Sequence, residues 1–444
     1  MDDDLEQIIP SNRPRIQMPK EVSNTLIARI HDSGFELSHD TYNGLLAAGD
    51  GRIYYVQSSE SYEVGAQMYC YDPAVDSIKH LGDITEACGE KGLKTIAQGK
   101  SHVIFVENKG VLYFATHLGY YSLVDGMEKI GVPPAGYKPY PGGHFLAYDI
   151  NTGKFDDLAK APHGEGILTM NMDTLRGRIY GITWPIGFFI TYDLISGELK
   201  NLGRVSKEGE NGRGENYRTL CRSIAIDPGD GSVYFTNGDG DIFRYDYKEE
   251  TIHVVKDADM RKDYFGLYDV TSPGHMGYNW RQIVWYEPEN VFYGVHGNSG
   301  YLFRFDPDIP VVKIVDRITS EPSKKCGMFD QFSYGYLGLI LGPDGHTLYY
   351  LTGGPVYING KRIRGKDKIA MGASKGIENL HLITYIIPER KYTDNGPVFF
   401  ENGERPSYVN SIAVGNNGVV YTQARIPGYD REKVDLISIA GEFC

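Results

Sequence analysis

One short phrase recurs seven times along this chain of 444 residues: a turn led by Gly, Asn or a similar residue, then an apolar residue, then an aromatic. The aromatics are Tyr54, Tyr113, Tyr180, Tyr234, Phe292, Tyr349 and Tyr421, spaced 54 to 72 residues apart. A repeat of this kind builds an array of similar units that share one continuous core, so equivalent positions can be compared between units.

About ten residues before each aromatic lies another apolar run, such as NGLLAAGD, GILTMNMD or NSIAVGNN. After it comes a third run that often ends in aromatic-Asp, at Tyr71, Tyr148, Tyr192, Tyr245 and Phe305, with Tyr385 and VDLISIA as weaker copies. A fourth follows, as in SGELKNLG and TGKFDDLA. Turn chemistry of the Asp-Gly and Asn-Gly type joins several of these runs as hairpins require, and the 54 glycines suit many tight turns. Four antiparallel strands (A to D) in seven repeats, without helical periodicity, predict an all-β, seven-bladed β-propeller. The last repeat ends after its third strand, whereas TLIARIHD precedes the first repeat. Residues 24–31 are therefore expected to supply the outer strand of blade seven and remove an edge. Residues 1–23 read as a surface arm and 24–444 as one domain.

The net charge of −13 argues against a nucleic-acid partner, although a local basic pocket can sit in an acidic shell. No apolar run nears 18 residues and no apolar leader opens the chain, so no membrane partner is expected. As written, the sequence reads as cytoplasmic; it reads as secreted or periplasmic if a signal has been removed. Five cysteines without CxxC spacing imply neither a disulfide framework nor a zinc knuckle. The oligomeric state is left open, a monomer included.

In a propeller blade, A starts, B ends and C starts at one face, where a ligand site is expected at the mouth of the central channel. The position four after each aromatic is Ser58, His117, Trp184, Gly238, His296, Gly353 and Arg425. Small residues suit a strand end; two histidines, a Trp and an Arg do not follow from that demand. Starts of strand A add His39, His102, Tyr217, Arg222, His275, Tyr278, Arg281, Tyr334 and Tyr336, and His163 with Glu165 precede the third A strand. His144 opens the second C strand after the insertion 118–142, and a second excursion, 354–380, carries KRIRGKDK. Each residue also has a plain reading: a satisfied structural His, an Arg paired in the channel, a Trp capping blade packing, a solvated basic loop.

Carboxylates are sparse in this set, which disfavours a glycosidase pair and a calcium-carboxylate lactonase. GxSxG and P-loop motifs are absent. His, Tyr and Arg together suit β-elimination from a uronate sugar. A neutral His or Tyr removes the proton α to the carboxylate, a Tyr or His protonates the leaving oxygen, and Arg, His or a metal neutralises the carboxylate.

The segments FATHLGYYS, PGGHFLAYDINTGKF and RIYGITWPIGFFITYDLISGELKNLG resemble the β-propeller polysaccharide lyases: ulvan lyases, rhamnose–glucuronate lyases and, more distantly, oligogalacturonate lyases. The resemblance implies a lyase acting on an acidic oligo- or polysaccharide. It implies His117 and His144 as the catalytic histidines, Arg222 as the arginine (Arg204 competing), and a tyrosine from a later blade. Trp184 stands where that tyrosine is sought; Tyr217, Tyr120 and Tyr121 are the substitutes. Trp184, Arg204, Tyr278, Arg281 and His296 are the expected substrate contacts. His275, His296 and Gln331 match a metal-binding pattern only loosely, so no cofactor is required and a divalent metal is merely compatible. The reading from another class is a non-catalytic propeller that binds a glycan or a protein.

Overall fold

The computed structural model describes residues 25–124, 127–325, 338–353, 356–358, 361–363, 379–428 and 433–443. The N-terminal arm 1–23, Gln331, Tyr334, Tyr336 and residues 364–368 of the basic run lie outside the described residues. Five four-stranded antiparallel sheets form blades one to five, with strand order following the chain from A to D. Blade two, for example, consists of Val106–Asn108, Val111–Ala115, His144–Asp149 and Lys154–Lys160. Blades six and seven merge into one nine-stranded sheet through the strand Leu26–His31. That strand pairs antiparallel with Lys433–Ile439, the C strand of blade seven, and parallel with Lys391–Phe400, the outer strand of blade six. The protein is thus a β-propeller closed by its N-terminal strand, as the unfinished last repeat predicted.

The two sequence signatures meet in space. The aromatic of strand B packs against the aromatic of strand C in the next blade: Tyr54 on Tyr148 at 6.2 Å between ring centroids, Tyr180 on Tyr245 at 5.6 Å and Tyr234 on Phe305 at 5.3 Å. Tyr421 of blade seven meets Tyr71 of blade one at 6.1 Å, so the same contact recurs where the ring closes. The Asp after each C-strand aromatic turns the chain into strand D. Asp149, Asp193, Asp246 and Asp306 each accept two backbone N–H bonds from residues two and three positions on. These are Asx turns, in which a short carboxylate stands in for a backbone carbonyl.

Closure is reinforced by a buried polar knot. Asp435 accepts bonds from Ser33 N (2.9 Å), Ser33 Oγ (2.5 Å) and Gln57 Nε2 (2.6 Å), tying the closing strand, blade seven and blade one together. His31 contacts Ser438 Oγ at 2.8 Å, and burial lowers its pKa from 6.5 to about 4.

The insertion 118–142 of blade two forms a separate hairpin, Tyr121–Val124 with Met127–Ile130. Inner strands enclose a channel cavity of about 260 Å³, lined by apolar side chains such as Val103, Met170, Ile224, Ile283 and Leu339, with Arg222 also on its wall. Among the described residues no helix is long and apolar enough to cross a membrane.

Two predictions follow from this packing. Tyr180 and Tyr245 are fully buried, and their hydroxyls have no partner among the described residues. Tyr180→Ala should cost about 3–5 kcal/mol in denaturant unfolding, whereas Tyr180→Phe should be neutral or stabilising by about 1 kcal/mol. Because His31 is held neutral in the folded state, unfolding stability should fall as pH drops from 6.5 towards about 4. His31→Gln should flatten that part of the profile.

Candidate functional site

Four of the seven column residues named from the sequence end, or lie within one residue of the end of, their B strands: Trp184, His296, Gly353 and Arg425. Ser58 lies one residue past its strand, and His117 and Gly238 two past theirs. From His117 the chain enters the insertion, and two glycines let backbones meet there. A Cβ on Gly119 would sit 1.9 Å from Ser59 O, and one on Gly166 would sit 2.8 Å from the His117 ring. The isolated bridge Lys100↔His117 holds the approach to strand A of blade two alongside this turn.

The Leu118 carbonyl joins the key side chains. His117 Nδ1 lies 3.0 Å from Leu118 O, and the Tyr121 hydroxyl donates to the same oxygen at 3.2 Å. Lys100 Nζ donates to the Tyr121 hydroxyl and lies 3.9 Å from the centre of the Tyr42 ring. A carbonyl oxygen can only accept, so His117 carries its proton on Nδ1, leaving Nε2 with a free lone pair. His102 is placed likewise, with Nδ1 2.8 Å from Leu168 O. The ring of His117 lies 5.9 Å from that of His102 and 5.3 Å from Trp184; Tyr121 stands edge-on to Trp184 at 5.7 Å.

Burial sets the charges. It pushes both imidazoles well below the usual histidine range, aided by the Lys100 and Arg222 cations, so both are neutral. Burial also lowers the Lys100 ammonium, against the pull of Glu128, Asp40 and Glu60. It raises the Glu128 carboxyl, aided by Asp40, Glu60 and Glu210. Glu128 belongs to the insertion hairpin, which reaches from blade two to the connection between blades three and four. Its Lys129 Nζ donates to Glu210 O at 2.7 Å and Asn211 O at 3.2 Å on the connection from blade three to blade four.

The sequence-predicted residues divide. His117, Trp184 and Arg222 belong to this cluster, and Arg281 is buried near enough for its charge to act on His102. Arg222 is bound to Glu210 at 2.7 Å; Glu210 also accepts from Trp184 Nε1 (2.9 Å) and Leu220 N (3.0 Å). Its charge is therefore already balanced, the plain reading of an arginine in a channel. Tyr217 is buried with its hydroxyl 3.1 Å from Thr219 Oγ1. Tyr121, one of the substitutes weighed for the tyrosine, is the one joined to His117 through a shared carbonyl.

His144 does not join His117. It sits across the ladder from Thr116, so the pleat sends its side chain to the other face of blade two. There it bonds Asp157 at 2.8 Å and Glu90 at 3.0 Å. Blade six repeats this clamp, with His381 Nδ1 3.0 Å from Asp394 at the same separation of 13 residues. Arg204 is exposed on the outer strand of blade three, at the rim of the disc. His296 is wholly buried, stacked on Phe265 and bonded to Ser299. Tyr278 lies beside Tyr268, with ring centroids 5.5 Å apart.

The expectation that carboxylates are sparse at this face is corrected: Asp40, Glu60, Glu128 and Glu210 all act on the cluster. They come from connections and the insertion, not from strand ends, where the column reading could not find them. Lys100, two residues before His102, was missed for the same reason; its one signal was a lysine between the apolar runs KTIA and HVIF. Among the described residues no group of three or more His, Cys, Asp or Glu side chains is arranged to hold a metal ion.

No protein-family model and no curated protein matches the chain. Three solved structures illustrate its likeness to known ones. A chain of the mitotic checkpoint complex is 10% identical, with TM-score 0.49 and 98% of each chain covered. A putative 6-phosphogluconolactonase from Bacteroides uniformis is 13% identical, with TM-score 0.48, covering 89% of this chain and 93% of that one. The β-propeller domain of Myceliophteria thermophila Cps50 (Swd1) is 8% identical, with TM-score 0.49, covering 93% and 99%. None of the three is a polysaccharide lyase, and the propeller assignment stands on the sheets themselves.

The His144 clamp carries its own prediction. Burial opposes the imidazolium, but Asp157 and Glu90 outweigh it and raise the pKa above 6.5. The clamp's stabilisation is therefore full below pH 6.5 and is lost as pH rises through the raised folded value. His144→Ala should cost about 3 kcal/mol by leaving Glu90 buried with only the Gln98 amide to bond it, and the change should be largest at low pH. His117→Ala, by contrast, should leave that pH dependence intact.

Proposed function

We propose that the channel mouth binds the carboxylate of a uronate sugar and cleaves the glycan by β-elimination. The observation that carries this reading is the Leu118 carbonyl shared by His117 and Tyr121, with Lys100 on the Tyr121 hydroxyl. It groups a base, an acid and a cation within a few ångströms, the three functions the reaction needs.

The roles follow from protonation. His117 is neutral with Nε2 unprotonated, so it removes the proton α to the carboxylate. Lys100, whose charge no direct ion pair among the described residues offsets, stabilises the carboxylate as enolate charge develops. The Tyr121 hydroxyl, which burial and the Glu128 and Glu60 carboxylates keep protonated, protonates the departing oxygen. His102, equally neutral, is the alternate base. Arg222 contributes mainly by keeping both imidazoles unprotonated. Burial of all these groups strengthens each charge interaction, and the insertion hairpin has to lift for a polymer to enter.

The test is the ultraviolet absorbance of the unsaturated uronate, measured over a panel of uronate polysaccharides. Tyr121→Phe and His117→Ala should each lower kcat about 10²- to 10⁴-fold. Lys100→Met should lower kcat and raise KM. The rate should be level across the ordinary histidine range, where both imidazoles are already neutral, and fall as Lys100 deprotonates, at a pH below the ordinary lysine value of 10.5. Absence of unsaturated product from every polymer, with glycan binding unchanged in the His117→Ala protein, would leave the propeller as a binding module.

A further inference from the structure

The same face carries a second cluster, of aromatic rings, on the connection from blade four to blade five. Its foundation is buried: Phe265 stacks on His296 at 4.1 Å with ring planes 1° apart, and His296 is tied to Ser299 at 2.8 Å. On that foundation Tyr268 lies 5.2 Å from His275 and stands edge-on to Tyr278 at 5.5 Å. Tyr264 lies 6.1 Å from Tyr301. The upper side is open to solvent, with Tyr264 63% and Leu267 90% exposed. An aromatic and an aliphatic side chain are thus presented to solvent above a buried aromatic base.

This shelf is joined to the segment that bears Arg222. Thr219 Oγ1 donates to His275 O at 2.9 Å, Asn279 Nδ2 donates to Thr219 O at 2.9 Å, and Tyr278 N donates to Gly238 O at 3.1 Å. Arg222 follows Thr219 by three residues. The shelf is thus fixed, through hydrogen bonds, to the segment that leads to Arg222.

We propose that the shelf is a subsite for uncharged sugar residues of the glycan whose uronate lies at the channel mouth. Resting on the β-elimination reading for its substrate class, this inference adds where the rest of the chain lies. Pyranose rings present flat C–H faces that pack on tyrosine rings, while tyrosine hydroxyls and His275 can meet sugar hydroxyls. The local charges select against a second uronate. Arg261 is committed to Asp241 and Asp259, whereas Asp263 and Asp269 are exposed on the loop. A carboxylate placed there would face the like charge of Asp263 and Asp269, while Arg218 and Lys262 nearby are already paired with Asp239 and Asp259.

Calorimetry on the full chain separates the cases, using alternating uronate–neutral-sugar oligosaccharides from disaccharide to octasaccharide, with oligogalacturonides as an all-uronate series. Wild type should bind the alternating series more tightly with length, and the all-uronate series should gain less. The double variant Tyr264→Ala/Tyr268→Ala should weaken octasaccharide binding about tenfold and leave disaccharide binding unchanged. Tyr264→Ala alone, at an exposed position, should give a smaller loss in the same direction with an unaltered melting temperature. Length-independent affinity, or equal loss for short and long ligands, overturns the shelf while leaving the elimination reading intact. Length-dependent binding without any unsaturated product supports the shelf and removes the elimination reading. Failure of every oligosaccharide to bind overturns both. Loss of self-association in the double variant with glycan binding unchanged overturns the shelf alone and would make the surface a protein interface.

Discussion

The contact on which the rest of the structure depends is the aromatic pair between strand B of one blade and strand C of the next. Tyr54–Tyr148, Tyr180–Tyr245 and Tyr234–Phe305 each bury two rings where neighbouring sheets meet, and Tyr421–Tyr71 makes the same contact across the seam. Rings of this size contribute more burial per residue than any aliphatic side chain, and their tilted and edge-on geometries add modestly to it. Each blade is oriented by its neighbours, so the ring has to be closed before any blade is fully held. The strand Leu26–His31 and the Asp435 knot supply that closure.

A rigid ring has a functional consequence. Connections from several blades converge on the cluster, and residues remote in sequence are held together there without belonging to one element. Lys100, His117, Tyr121 and Trp184 come from the blade one–two connection, the end of the second B strand, the insertion and the third B strand. Their preorganisation is backbone-borne: carbonyls of Leu118 and Leu168 set the histidine tautomers, and Glu210 balances Arg222 before any ligand arrives. A second cation, Lys100, is held between tyrosine rings in low-dielectric surroundings, where its charge acts most strongly.

What was legible in the sequence was what repeats. The repeat located the blades and the closing strand, because seven copies of one packing problem leave seven copies of one solution. The departures from the repeat were legible as a set but not one by one. His117 and Trp184 do meet at the mouth, yet His144, in the same stretch of chain, points through the opposite face of its sheet to clamp strand D. One residue of register separates the two outcomes, since side chains alternate along a strand. Arg204 stands apart from the cluster, exposed at the end of the outer strand of blade three. Lys100, Glu128 and Glu210 were hidden in connections, where no period constrains position and only the folded chain shows which side chains converge.

The central claim is that His117 takes the proton α to a uronate carboxylate while Lys100 stabilises the charge that forms. The most direct measurement is magnetic resonance of a bound uronate oligosaccharide in deuterated water, following the hydrogen at that carbon. The account predicts that wild type removes this hydrogen, giving the unsaturated product or deuterium exchange, and that His117→Ala does neither while still binding. Retention of the hydrogen by a ligand shown to occupy the wild-type mouth would contradict it.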